Sequence, residues 1–208
     1  MLSFIPLIAL AGLTSAHFNV LAPTWRGNSF TGGASQWIYP CANVSETTDP
    51  SNRTQWPHTG GSVKINGSHE WAYTYVNLGL GTNATNFNIS LVEGFNQTGK
   101  GILCMKEVGR DAIMEGIMEA NISMEAMEGM HATVQIIQIT HSGASLYNCA
   151  DITFNSTAQL LSDSECANST GVSGVALANA GATSGATARM GPAVGGGLLA
   201  ALIAWGLL

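Results

Sequence analysis

The chain has 208 residues, 46% of them apolar and only 10% charged, and 7 Lys and Arg against 13 Asp and Glu give a formal net charge of −6. No basic stripe exists with which to neutralise phosphates, so nucleic acid binding is excluded as a function class. An acidic surface attracts metal cations instead.

Residues 1–13 form an almost uncharged apolar run, and Thr14-Ser15-Ala16 puts small residues where signal peptidase reads them. Residues 1–16 are therefore predicted to be a secretory signal peptide, leaving His17 as the first residue of the mature protein. A terminal histidine offers an α-amino group and an imidazole from one residue, and both nitrogens can close onto one ion. Imidazole suits copper and zinc, and two nitrogens fixed by covalent geometry favour the tetragonal arrangement of Cu(II). The expectation is one Cu(II) at His17 with a second histidine from His58, His69, His131 or His141. Of these, His69 suits a ligand best, because Gly67-Ser68-His69-Glu70-Trp71 stands just before a strand-like run, where a loop and the N-terminus can converge.

Residues 17–170 have the length of one domain and the patterning of strands. Segments 62–65, 71–78, 86–92, 133–140 and 145–154 are rich in Val, Ile, Tyr, Phe and Thr, and Gly and Asn clusters separate them. Residues 133–140, then His141-Ser142-Gly143-Ala144, then Ser145-Leu146-Tyr147 read as a hairpin. Short strands at this spacing predict an all-β fold, an immunoglobulin-like antiparallel β-sandwich. A Met/Glu-rich insert, Arg110 to Gly129, breaks the pattern, and a helix there places Met114 and Met118 on one face. Thioethers are soft ligands for Cu(I), so Met114, Met118, Met124, Met127 and Met130 with His131 form a candidate reduced-copper site. The favoured reading is plainer: Met and Ile pack onto the sandwich and the glutamates face water.

Cys41, Cys104, Cys149 and Cys166 are an even set in a chain bound for the secretory pathway, with three pairings formally open. Asn-x-Ser/Thr sequons at Asn43, Asn52, Asn66, Asn83, Asn88, Asn96, Asn121, Asn155 and Asn168 predict a heavily glycosylated surface. Residues 171–192 are dominated by Gly, Ala, Ser and Thr and read as a linker, followed by an apolar stretch, 193–208, too short to be a comfortable membrane span. The small triplet Asn179-Ala180-Gly181 lies one polar spacer upstream. That arrangement predicts glycosylphosphatidylinositol (GPI) attachment at Asn179 with removal of 193–208, and a location at the plasma membrane or cell wall.

Several short motifs together carry a resemblance. They are His17-Phe18, Trp25-Arg26-Gly27, Ser35-Gln36-Trp37-Ile38-Tyr39-Pro40-Cys41, Asn52-Arg53-Thr54-Gln55-Trp56-Pro57 with Gly60-Gly61-Ser62, His69 and Trp71 with Val76-Asn77-Leu78-Gly79-Leu80-Gly81, and Leu146-Tyr147-Asn148-Cys149-Ala150-Asp151-Ile152-Thr153-Phe154. On these the chain resembles the fungal copper acquisition factors, GPI-anchored copper proteins similar to lytic polysaccharide monooxygenases, across essentially the whole secreted domain. The resemblance implies the same β-sandwich, a histidine brace of His17 and His69, and disulfides Cys41–Cys149 and Cys104–Cys166. It also implies a carboxylate as a further copper ligand. The position after Arg-Gly that often carries it is Asn28 here, which leaves Asp151 as the candidate. Asp151 lies five residues beyond Leu146, and Leu146 takes the slot where the monooxygenases place an axial Tyr or Phe. Five strand residues span roughly 17 Å, which favours a structural role for Asp151.

Two functions follow from the resemblance. The first is a cell-surface protein that captures Cu(II) and supports copper uptake and homeostasis, with a membrane copper transporter as a partner. The alternative is a copper-dependent lytic polysaccharide monooxygenase acting on cell-wall polysaccharide. Leu146 in the aromatic slot, the dense sequons and the anchor favour the first, without oxidative cleavage.

Overall fold

Strands rich in β-branched and aromatic residues organise the chain, and their alternation decides which face each side chain takes. The computed structural model describes residues 17–47, 49–177 and the backbone of 189–190. The predicted signal peptide, the attachment residue Asn179 and the tail 193–208 lie outside the described residues.

Strands β1 (Phe18–Ala22), β3 (Gly61–Gly67), β6 (Gly101–Val108) and β10 (Arg189–Met190) form one sheet in the order β1-β3-β6-β10. Strands β2 (Thr54–Trp56), β8 (Ser145–Phe154), β7 (His131–Thr140), β4 (Trp71–Leu80), β5 (Ile89–Thr98) and β9 (Ser173–Ala176) form the other, in the order β2-β8-β7-β4-β5-β9. Only the β2–β8 pair is parallel among the described residues. Each sheet turns its apolar residues inward: Phe18, Val20, Val63, Ile65, Leu103 and Met105 from the first meet Val76, Leu78, Val134, Ile136, Ala150 and Ile152 from the second in one core. The chain is the mostly-β sandwich that the strand pattern implies. Each of these buried side chains except that of Ala150 contributes about 1.5–3 kcal/mol by leaving water.

Long irregular loops, residues 23–53 and 155–172, wrap the sandwich, and a disulfide holds each one. Cys41–Cys149 ties the first to β8, and Cys104–Cys166 ties the second to β6. These are the two pairs that the resemblance implies. The first loop carries side chains to the N-terminal residues, so its staple bears on the site described below.

Strand β8 has the predicted bounds, and β7 and β4 extend theirs by two residues each. In β5 the structure differs: pairing begins at Ile89 and runs on through Gly94 to Thr98. Gly94 has φ 134°, and a Cβ there would lie 2.8 Å from Tyr75, so glycine serves the strand instead of ending it. Helix α1 (Arg110–Glu119) follows Gly109, which at φ 84° turns the chain where a Cβ would sit 2.5 Å from Leu91. Its buried residues are Ile113 and Ile117, while Met118 is 65% exposed. Met114, Met124 and Met130 pack at the core margin and Met127 is fully buried. Glu115, Glu119, Glu125 and Glu128 face water.

Candidate metal centre

Strand β1 is the edge of its sheet, so one side of its backbone has no neighbouring strand. An open edge leaves N–H and C=O groups to be satisfied otherwise. Two buried side-chain amides do this at Phe18. Gln36 Oε1 accepts from Phe18 N at 3.1 Å, Gln36 Nε2 donates to Phe18 O at 2.7 Å, and Asn148 Nδ2 donates to the same carbonyl at 2.9 Å. Gln36 Nε2 also donates to Ser29 Oγ at 2.8 Å, and Gln36 O accepts from Tyr147 N at 2.7 Å. The residue next to His17 is thus clamped from the 23–53 loop and from β8.

On its other side His17 is latched to the turn after β3. Ser68 N donates to His17 O at 3.0 Å, Ser68 Oγ donates to the same oxygen at 2.7 Å, and His17 N lies 3.0 Å from Ser68 Oγ. Because Ser68 precedes His69, this latch brings the two predicted ligands side by side. His69 is buried, and its Nε2 has no hydrogen-bond partner among the described residues. Burial lowers its pKa from the usual value, and the nearby charges of His17, His141 and Lys100 lower it further. A neutral imidazole with an idle nitrogen is the form in which histidine binds metals.

Asn28 Oδ1 accepts from Phe30 N at 2.9 Å, a local turn that sets the Phe30 ring edge-on to the His17 imidazole with centroids 5.1 Å apart. Asn28 thus shapes the site from the position where the resemblance looked for a carboxylate. An open hollow of about 490 Å³ lies here, lined by His17, Phe30, Asn66, Ser68 and Lys100 among others. Lys100 pairs with Glu70 at 2.8 Å on its rim.

Of the other candidates, His141 stands near enough to His69 for its charge to act on it, while His58, His131 and Asp151 lie elsewhere. His58 Nε2 is 3.0 Å from Glu128 Oε2 without hydrogen-bond geometry, and its ring packs on Phe154. His131 Nδ1 is 3.5 Å from Thr82 Oγ1. Asp151 is fully buried and its carboxylate is taken up: Arg26 Nε reaches both oxygens at 3.1 Å, Arg26 Nη2 reaches Oδ1 at 2.7 Å, and Thr133 Oγ1 and Thr47 N each donate at 3.1 Å. Asp151 pairs with Thr133, and Thr140, seven residues further along β7, pairs with Ala72 near His69. That separation is roughly 24 Å of strand, so Asp151 is not brought together with His17 and His69. Leu146 is fully buried in the core.

Among the described residues no three His, Cys, Asp or Glu side chains gather as a metal cluster. The donors on offer are two imidazoles and the nitrogen of His17, which would be an amine if the chain were cut after Ala16. That set fits copper in character, since all three donors are nitrogen and one imidazole nitrogen is idle. The structure adds Gln36, Ser68, Asn148 and Phe30 to the surroundings of His17, residues that no sequence pattern singles out for this place.

Residues 15–171 match the family model described as copper acquisition factor BIM1-like. The chain belongs to that family. Within it, the chain is 33% identical to the lytic polysaccharide monooxygenase-like protein ham-7 of Neurospora crassa, over 78% of this chain and 76% of that protein. It is 35% identical to the lytic polysaccharide monooxygenase-like protein X325 of Aspergillus fumigatus, over 71% of each. A protein of the same description from Hypocrea jecorina is 32% identical over 81% of this chain and 78% of its own length. Membership of the BIM1-like family supports a copper-related function for the chain.

Proposed function

We propose that the mature protein begins at His17 and captures one Cu(II) as cargo through the α-amino and imidazole nitrogens of His17 and the imidazole of His69, supporting copper uptake at the cell surface. The observation that carries this reading is the buried, unpartnered Nε2 of His69 beside the latched N-terminal residue. A buried nitrogen without a partner is costly unless a ligand satisfies it. The chain's own residues divide the work: Ser68, Gln36 and Asn148 hold the first two residues in place, and Phe30 shields one edge of the His17 ring. The open hollow leaves His17 accessible, which suits a site that must load and release its cargo. Delivery to a membrane copper transporter requires proximity, and a GPI anchor at Asn179 with a Gly/Ala/Ser linker provides it by raising the effective concentration. N-glycans on the sequons suit the same extracellular setting, and all nine asparagines are exposed or half-buried.

The second reading, a polysaccharide monooxygenase, is favoured by the printed names of the relatives. Against it stands Leu146, an aliphatic residue sealed in the core in the aromatic slot. Copper-loaded protein with a reductant is expected to release no oxidised oligosaccharides from chitin, cellulose or xylan; products above a free-copper control would transfer the assignment to the enzyme. Phosphatidylinositol-specific phospholipase C is expected to free the protein from membranes, and a freely secreted form retaining 193–208 would remove the anchor.

A further inference from the structure

An antiparallel sheet with one face on the core usually turns polar residues to water on the other. The six-stranded sheet departs from this over one part of its outer face, although Asn77 and Gln135 keep to it further along. Trp71, Tyr73 and Tyr75 alternate with buried residues along β4 and so project outward, and Ile137 and Ile139 of β7 and Tyr147 of β8 do the same beside them. Tyr73 is 38% exposed and packs edge-on against Trp71 with centroids 5.3 Å apart. An apolar outer face of this kind calls for an occupant.

The register supplies one. Tyr73 pairs directly with Asn96 of β5, and Trp71 pairs with Thr98, the asparagine and the threonine of the sequon Asn96-Gln97-Thr98. Phe95 and Gln97 are buried, so Asn96 projects from the same outer face as Tyr73, and directly opposed Cβ atoms in such a pair stand about 5 Å apart. The Asn96 Oδ1 atom is buried with no hydrogen-bond partner among the described residues. We propose that Asn96 carries an N-linked glycan whose first sugars lie across Tyr73 and Trp71, so that the aromatic face is covered by the chain's own carbohydrate. The C–H face of a pyranose is weakly positive and the aromatic face negative, so the two attract, with dispersion adding to the contact. The proposal rests on the secretory reading and goes beyond it: the glycan on β5 becomes part of the fold, and it shields the sheet beside His69 from an external polymer.

The test uses the secreted glycoprotein. Glycopeptide mass spectrometry is expected to find Asn96 occupied, and the N-acetyl methyl protons of its first GlcNAc should be shifted upfield by the rings. Asn96→Gln should lower Tm by about 2–4 °C in the native background, the shift that one aromatic contact gives at this length, and by none in a Trp71→Ser, Tyr73→Ser background. In that double variant the upfield shift should vanish. Equal Tm losses in both backgrounds, or a bare Asn96 with other sequons filled, would overturn the proposal alone. A protein with no N-glycan anywhere would overturn the secretory reading with it. Binding of added chitin or glucan oligosaccharides at Tyr73 in the glycosylated protein would assign the face to an external polymer and overturn it as well.

Discussion

Replacing Gln36 by Met keeps the length and approximate volume of the side chain but removes its three amide hydrogen bonds. Phe18 N, at 1% exposure of its residue, then loses its partner, while Phe18 O keeps Asn148 and Ser29 Oγ loses a donor. An orphaned buried donor costs about 1–3 kcal/mol and each of the other two lost bonds about 0.5–1.5 kcal/mol, for a total of about 2–6 kcal/mol. At about 2–4 °C per kcal/mol, thermal unfolding should move down by roughly 4–24 °C. Part of the loss should appear as local fraying of β1, because the clamp stands in for a missing strand. Amide exchange at Asn19 and Val20 should therefore accelerate more than at Val134 or Ile136 in the core. A first residue that must be ordered on binding costs about 1–2 kcal/mol of backbone entropy, so copper Kd should weaken roughly tenfold. Gln36→Met with Tm and copper Kd equal to wild type would refute the clamp as the device that positions His17.

Asp151→Asn breaks a buried ion pair with Arg26 and should cost about 3–5 kcal/mol in urea unfolding, with copper affinity unchanged in the folded fraction; loss of copper without loss of stability would make Asp151 a ligand. In the copper-free protein, burial and the charges of His17, His141 and Lys100 hold the His69 pKa below the usual 6.5. The unfolded chain then binds the extra proton first, so the stability His69 contributes is complete above the unfolded value and is lost as pH falls below about 6.5 toward the folded one. His69→Gln should flatten that part of the stability curve between about pH 7.5 and pH 5; an unchanged difference between variant and wild type would show that His69 titrates normally.

The fold was legible where side chains alternate plainly. Strand β8 carries Leu146, Asn148, Ala150 and Ile152 inward, and β-branched residues fill β7, so both were found with their hairpin. Strand β6 was missed because Cys104, Met105, Lys106 and Glu107 do not alternate by polarity, and β1 because five residues give too little pattern. The end of β5 was hidden by Gly94 and Asn96, residues that usually mark turns. Near His17, the place of His69 just before β4 was legible in the strand pattern. The clamp was not: Gln36 lies 18 residues from Phe18 and Asn148 lies 130 away, and no local period reports such a contact. The Asn28 turn that aims Phe30 at His17 was read only as a missing carboxylate.

Electron paramagnetic resonance of the processed protein loaded with one equivalent of Cu(II) tests the central claim most directly. A type 2 spectrum with nitrogen couplings is expected. It should be lost both in a form carrying one extra residue before His17, which converts the amine to an amide, and in His69→Ala. A copper spectrum unchanged by either alteration would place the ion elsewhere and contradict the brace of His17 and His69.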